Sequence, residues 1–201
     1  MDRFNLEEAR RNPTGMPDAE ASAQAEEYLQ KCIENQDSAG GVVSCKVHGM
    51  TAGIGEPVFD KLDACLGQAV MSIGAVKAFA VGDGCEVSKK NGSTNNDAFC
   101  NVNGQISKKT NHAGGILGGI SDGSDIILRA YFKPTPSIYQ KQQTVNQAGE
   151  EIEIQIKGRH DPIVVSRAVV VVEAMTAVTI LDELLRNMTS RLDGIKKFYH
   201  K

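Results

Sequence analysis

Apolar and polar positions along this chain recur with periods that change from stretch to stretch, and each period predicts an element. In "PDAEASAQAEEYLQKCIEN", residues 17–35, Pro17 and Asp18 are start signals, and Ala21, Ala25, Leu29, Cys32 and Ile33 recur near helical spacing, so a surface helix is predicted. Val43, Cys45 and Val47 then alternate with Ser44, Lys46 and His48, the period of a half-buried strand with His48 on its solvated side. "PVFDKLDACLGQAVMSI", 57–73, predicts a second helix with Pro57 in its first turn and Val58, Leu62, Cys65, Leu66, Ala69, Val70 and Ile73 on the buried face. "AVKAFAV" reads as a strand ending at "GDG", 82–84, and Lys89 to Thr110 reads as a polar connection too long to be idle.

"SDIILRAYFK", 124–133, predicts a strand with apolar residues on both faces. "EEIEIQIK", 150–157, alternates through Ile152, Ile154 and Ile156 and closes a hairpin across "NQAG". "SRAVVVVEAMTAVTILDELLRNM", 166–188, is rich in valine, yet its length and the spacing of Arg167, Glu173, Asp182 and Glu183 favour a buried helix over a strand. This order, with hairpins and few strand-helix-strand units, predicts an α+β fold of helices packed on antiparallel sheet, as a single domain over 1–201.

Composition narrows the function classes. At 201 residues with 41% hydrophobic content the chain can bury a core, and a net charge of -3 excludes a nucleic-acid-binding polycation, so any anion site must be local. Cys32, Cys45, Cys65, Cys85 and Cys100 form no C-x-x-C pair and read as reduced, cytoplasmic thiols, with Cys65 a small buried hydrophobe rather than a nucleophile. The histidines show no metal-ligand spacing, so no metal is expected. No apolar run reaches a membrane span, so no membrane partner is expected.

Three stretches can carry chemistry. "TNHAGGILGGISDG", 110–123, holds five of the 20 glycines, but its spacing fits neither the dinucleotide fingerprint nor the P-loop. Its glycines admit either a flat ligand close to the backbone or tight packing of chain on chain. "KPTPS", 133–137, directly after a strand, offers an ammonium, two hydroxyls and a stiffened backbone suited to phosphate, or else a plain surface turn. "KGRHDP", 157–162, gathers two cations, an imidazole and a carboxylate; Arg159 can clamp an anion in bidentate fashion, with Asp161 an ionised acceptor beside it, or the two form a surface ion pair.

Together with "GEPVFDKLDA" and "AVKAFAVGDG" before them and "RAVVVVEAM" after, these stretches resemble chorismate synthase over about residues 37–186. The resemblance implies core helices packed between antiparallel sheets, and a cytoplasmic homotetramer that binds neither membrane nor nucleic acid. It implies a lyase of the shikimate pathway with flavoprotein and NADP associations, which eliminates phosphate from 5-enolpyruvylshikimate 3-phosphate with reduced FMN as cofactor. The family's FMN contacts fall on Gly74, Ala75, Gly118, Lys133, Pro134, Thr135, Pro136, Ser137 and Arg159, with Arg159 also toward substrate and Asp161 as a catalytic carboxylate near flavin N5. The family's Gly-Glu-Ser-His-Gly motif and catalytic histidines have no counterpart here, so the chain is expected to be the carboxy-terminal part of such an enzyme and inactive alone. The alternative is a non-catalytic FMN- or phosphate-binding module on the same scaffold.

Overall fold

The computed structural model describes residues 5–158 and 161–199. In chain order the elements are α1 (Leu6–Arg11), α2 (Ala19–Glu34), β1 (Gly41–Val47), α3 (Leu62–Met71), β2 (Val76–Val81), a 3-10 helix (Gly84–Lys89), α4 (Gly92–Asn95), β3 (Phe99–Val102) and β4 (Gln105–Lys108). There follow β5 (Ile116–Leu117), β6 (Ile120–Ser121), β7 (Ile126–Phe132), β8 (Gln142–Val145), β9 (Glu151–Ile154), α5 (Val165–Asn187) and α6 (Leu192–Tyr199). The chain forms two compact units, one of Met1–Gly41 with Phe132–Val169 and one of Val42–Tyr131 with Val170–Lys201.

The second unit is built on a three-stranded sheet in the order β1-β7-β2. Strand period decides its faces: Ile126, Leu128 and Ala130 of β7 are fully buried, while Ile127, Arg129 and Tyr131 on the alternate positions are half-buried. α3 buries Leu62, Leu66 and Val70 at successive four-residue steps, and the missing side chain at Gly67 lets the Phe79 ring of β2 lie against the helix.

The start of α3 corrects the sequence expectation. Helix begins at Leu62, with Lys61 before it as N-cap, and not at Pro57. Val58 sits at φ 71°, outside any helix, because Glu56 N–H donates to Asp60 O at 3.1 Å and closes a turn instead. Val58 is consequently exposed rather than buried.

The polar connection 89–110 also folds more than its composition suggests. It contains α4 and the antiparallel hairpin β3-β4, in which Phe99 faces Lys108 and Asn101 faces Ile106. Asn103 and Gly104 form its two-residue turn with φ 53° and 86°, the paired positive values that match strand twist.

Helix α5 is a helix, as its length implies, but it is buried on one side only. Val172, Thr176, Ile180 and Glu183 form the covered stripe, while Val178 and Leu181 are 64% and 56% exposed. Its carboxyl end is fixed by polar contacts: Arg186 donates to Glu183 Oε1 at 2.9 Å and to Asp60 Oδ2 at 2.8 Å, and Asn187 Nδ2 donates to Gly53 O at 2.8 Å.

In the first unit α2 is the expected surface helix. Asp18 caps it by accepting from Ala21 N–H at 3.0 Å, and its two covered residues are Ser22 and Cys32. β8 and β9 pair antiparallel with Thr144 opposite Ile152, joined by the turn 146–150 as the alternation implies. Ile152 and Ile154 are exposed. Among the described residues no helix is long and apolar enough to cross a membrane.

Leu66→Ala is expected to lower unfolding free energy by about 2–5 kcal/mol in urea titration, because it empties a fully buried position. Leu185→Ala, on the open side of α5, is expected to change it by no more than about 0.5 kcal/mol.

Candidate functional site

The glycine-rich stretch is held against the end of β2. Gly82 N–H donates to Ile127 O at 2.8 Å and Asp83 N–H to His112 O at 2.9 Å, which draws two backbones into contact. A Cβ on Gly82 would overlap the His112 carbonyl, and one on Gly114 would lie 2.5 Å from Gly82 Cα. A Cβ on Gly115 would lie 2.6 Å from Asp125 O, and one on Gly119 would overlap the Lys61 side chain. For these four glycines, packing of chain on chain is the physical requirement.

Gly118 differs. With Gly119 it forms the two-residue turn of the β5-β6 hairpin, at φ 60° and 88°, and a Cβ there would meet nothing within 4 Å. Gly74 is likewise open, and Ala75 beside it is held at φ 69°, a left-handed backbone that costs a residue with a Cβ roughly 1–2 kcal/mol. These are the second unit's candidate flavin contacts.

Carboxylates fasten the segment that leads into the turn. Asp97 accepts from Thr110 Oγ1 at 2.7 Å, His112 N–H at 2.7 Å and Ala113 N–H at 2.9 Å. Burial pushes its carboxyl up, but donation from Ala113, Thr110 and His112 outweighs that and holds it below its ordinary value. Asp122 pairs with Lys108 at 2.5 Å, both side chains under a tenth exposed. There too burial raises the carboxyl, and Lys108 and Ser124 together bring it below its ordinary value. No local motif announces Asp97, since its partners lie more than a dozen positions along the chain.

In the first unit "KPTPS" turns away from Phe132. Gly40 makes room for it: a Cβ there would lie 2.7 Å from Phe132 O and 3.2 Å from Pro134 Cδ. Ser38 Oγ donates to Thr135 O at 2.7 Å, and Gln142 Nε2 donates to Pro136 O at 3.0 Å. These bonds fix the turn while leaving the Thr135 hydroxyl buried with no hydrogen-bond partner among the described residues. Such an atom costs about 1–3 kcal/mol unless something completes it. Lys133 and Ser137 are half-buried and Pro134 and Pro136 exposed.

Asp161 belongs to the same unit and lies between β9 and α5. It lines a pocket of about 130 Å3 with Ile33, Asp37, Ile138 and Tyr139, and it pairs with the Arg167 guanidinium. The sequence placed Arg159 beside it; Arg159 and His160 lie outside the described residues. The pocket is smaller than the roughly 300 Å3 at which small-molecule sites begin, so it does not enclose a flavin by itself.

Residues 3–185 match the family profile described as chorismate synthase. A chorismate synthase from Lachnoclostridium phytofermentans is 62% identical over 191 residues, covering 94% of this chain and 52% of that protein. One from Archaeoglobus fulgidus is 53% identical over 181 residues, covering 90% of this chain and 50% of that protein. A crystal structure of chorismate synthase superposes with a TM-score of 0.74 at 26% identity, over 95% of this chain and 51% of that one. The mixed helix and antiparallel-sheet architecture is therefore shared with a solved relative. The chain spans about half the length of the curated relatives it matches.

Gly114→Ala is expected to destabilise the second unit far more than Gly118→Ala, read as urea midpoints, because only the first forces a Cβ into backbone. Gly118→Ala should cost only the left-handed strain of roughly 1–2 kcal/mol. Acid titration gives a separate check. Asp97 and Asp122 have lowered folded values, so their stabilisation is complete above about pH 4 and is lost as pH falls through those values. Asp97→Asn should flatten the fall in urea midpoint as pH drops below about 4.

Proposed function

The chain belongs to the chorismate synthase family, and from that membership we propose that it contributes flavin and substrate contacts to the 1,4-elimination of phosphate from 5-enolpyruvylshikimate 3-phosphate, which gives chorismate. The observation that carries the reading is the Thr135 hydroxyl, buried without a partner inside the "KPTPS" turn that the family devotes to FMN. A bound group with a hydrogen-bonding edge would complete it. In the second unit, the open space over Gly118 and Gly74 would let a flat ring approach backbone without meeting a Cβ.

Reduced FMN, when bound, supplies an electron-rich ring that stabilises charge as phosphate departs. The chain's own contributions are positional and electrostatic. Lys133 brings an ammonium that makes no ion pair among the described residues, so its charge is available to an anion. Thr135 and Ser137 bring hydroxyls, while Pro134 and Pro136 keep the turn from relaxing. Gly74 and Gly118 present backbone rather than side chain, with Ala75 held at positive φ beside Gly74. Asp161, anchored by Arg167, supplies a carboxylate acceptor for a proton at flavin N5. Arg159 belongs to the same proposal by its place in "KGRHDP", as a clamp for flavin or substrate phosphate. Homotetrameric assembly and a cytoplasmic setting follow the family and are proposed with it.

Oxidised FMN titrated into the chain should quench on binding, and Thr135→Val should weaken that binding by about tenfold, the equivalent of one hydrogen bond near 1.4 kcal/mol. The chain alone should release no phosphate from substrate with reduced FMN under anaerobic conditions. Supplemented with the remaining portion of a full-length relative, it should release phosphate. Flavin binding without phosphate release in the supplemented sample would favour the non-catalytic module, and no flavin binding at all would remove both readings.

A further inference from the structure

A hollow of about 500 Å3 in the second unit, lined by Asp83, Cys85, Glu86, Lys90, Arg129 and Tyr131, shares no residue with the proposed flavin contacts. Its size lies within the roughly 300–1,000 Å3 of small-molecule sites. Arg129 and Tyr131 reach it from alternate positions of β7, on the face opposite buried Leu128 and Ala130.

Two carboxylates and two cations line the hollow, and of these only Arg129 has no partner of opposite charge among the described residues. Asp83 is already matched: it accepts from Lys90 Nζ, and its Oδ2 lies 2.6 Å from His112 Nδ1. The Lys90 ammonium, opposed by burial and aided by His112, holds the Asp83 carboxyl below its ordinary value, so it stays ionised beside its two partners. Glu86 is matched by Lys89 at 2.9 Å. Arg129, half-buried, has no carboxylate partner among the described residues. Its Nη1 donates to the Gly82 carbonyl at 2.6 Å, which anchors one edge of the guanidinium. The Tyr131 hydroxyl makes no hydrogen bond among the described residues.

We infer that this hollow binds a small anion through a phosphate or carboxylate group, with the free edge of Arg129 as the fork and the Tyr131 hydroxyl as a further donor. A planar guanidinium matches two oxygens of either group, and one already fixed at its other edge loses little freedom on binding. The scaffold is fixed as well, because Gly82 is pressed against the His112 carbonyl and cannot yield without breaking the β2 end. Such preorganisation lowers the ordering cost of binding.

The test titrates inorganic phosphate, and separately succinate, into the full chain at constant ionic strength, with backbone amide shifts of Gly82, Asp83 and Tyr131 as the readout. Saturable shifts with either anion are expected, and the stronger of the two identifies the preferred group. Arg129→Lys keeps the charge and removes the fork, so it should weaken saturation by about tenfold or more. Tyr131→Phe should weaken it less, and Thr135→Val should leave it unchanged. Urea midpoints of each variant confirm folding, and should Arg129→Lys fail to fold, Tyr131→Phe alone decides. Shifts that do not saturate with either anion, or that saturate equally in folded Arg129→Lys, overturn the assignment.

Discussion

At the end of β2 two stretches of backbone pass so close that neither can carry a side chain, and much of the second unit depends on that contact. Gly82 backbone occupies the space where a Cβ on Gly114 would stand, and the His112–Gly114 backbone fills the space where one on Gly82 would stand. Gly82 N–H is committed to Ile127 of β7 and Asp83 N–H to His112, so the contact fixes the strand end, the glycine-rich stretch and the centre of the sheet against one another. The β5-β6 turn that presents Gly118 and the hollow around Arg129 are both consequences. The first follows a few residues after Gly114; the second takes its guanidinium anchor from the Gly82 carbonyl.

Polar groups rather than apolar ones secure this arrangement, and magnitudes show why they suffice. Asp97 accepts three hydrogen bonds, two of them from backbone amides that have no strand partner. A charged acceptor of that kind contributes about 1.5–3 kcal/mol per bond, whereas solvent and salt screen an exposed pair such as Lys31–Glu27. The buried pair Lys108–Asp122 acts differently. Desolvation consumes most of its Coulombic gain, so its effect is to fix where β4 meets the segment after β6, and breaking it would leave a lone buried charge.

Much of the fold was legible because its signals are local. Alternation in β7, the four-residue steps of Leu62, Leu66 and Val70, and the Asp18 cap of α2 are each written in a short window. Pro57 misled because a favourable first-turn residue cannot override a turn closed by Glu56 and Asp60, whose hydrogen bond puts Val58 at positive φ. The β3-β4 hairpin carried a readable signal in Asn103-Gly104 that polar composition masked. The exposed side of α5 was not readable, since valine and leucine on every face predict burial whatever they pack against. Around the candidate site the anchors were not legible: Asp97 reaches Thr110, His112 and Ala113, and Asp161 takes a partner, Arg167, from outside "KGRHDP".

The structure separates two meanings of glycine that the sequence ran together. Gly82, Gly114, Gly115 and Gly119 are required by what would collide with a side chain, so each can be explained with no ligand at all. Gly118 is required by nothing that touches it. Its φ of 60° belongs to a two-residue hairpin turn, and such a turn also accepts asparagine. Turn geometry therefore favours glycine at 118 by the roughly 1–2 kcal/mol that a Cβ would cost in that backbone, and clash adds nothing to it. The open space above the turn is a separate property, and it is the one that the proposed flat cofactor would need.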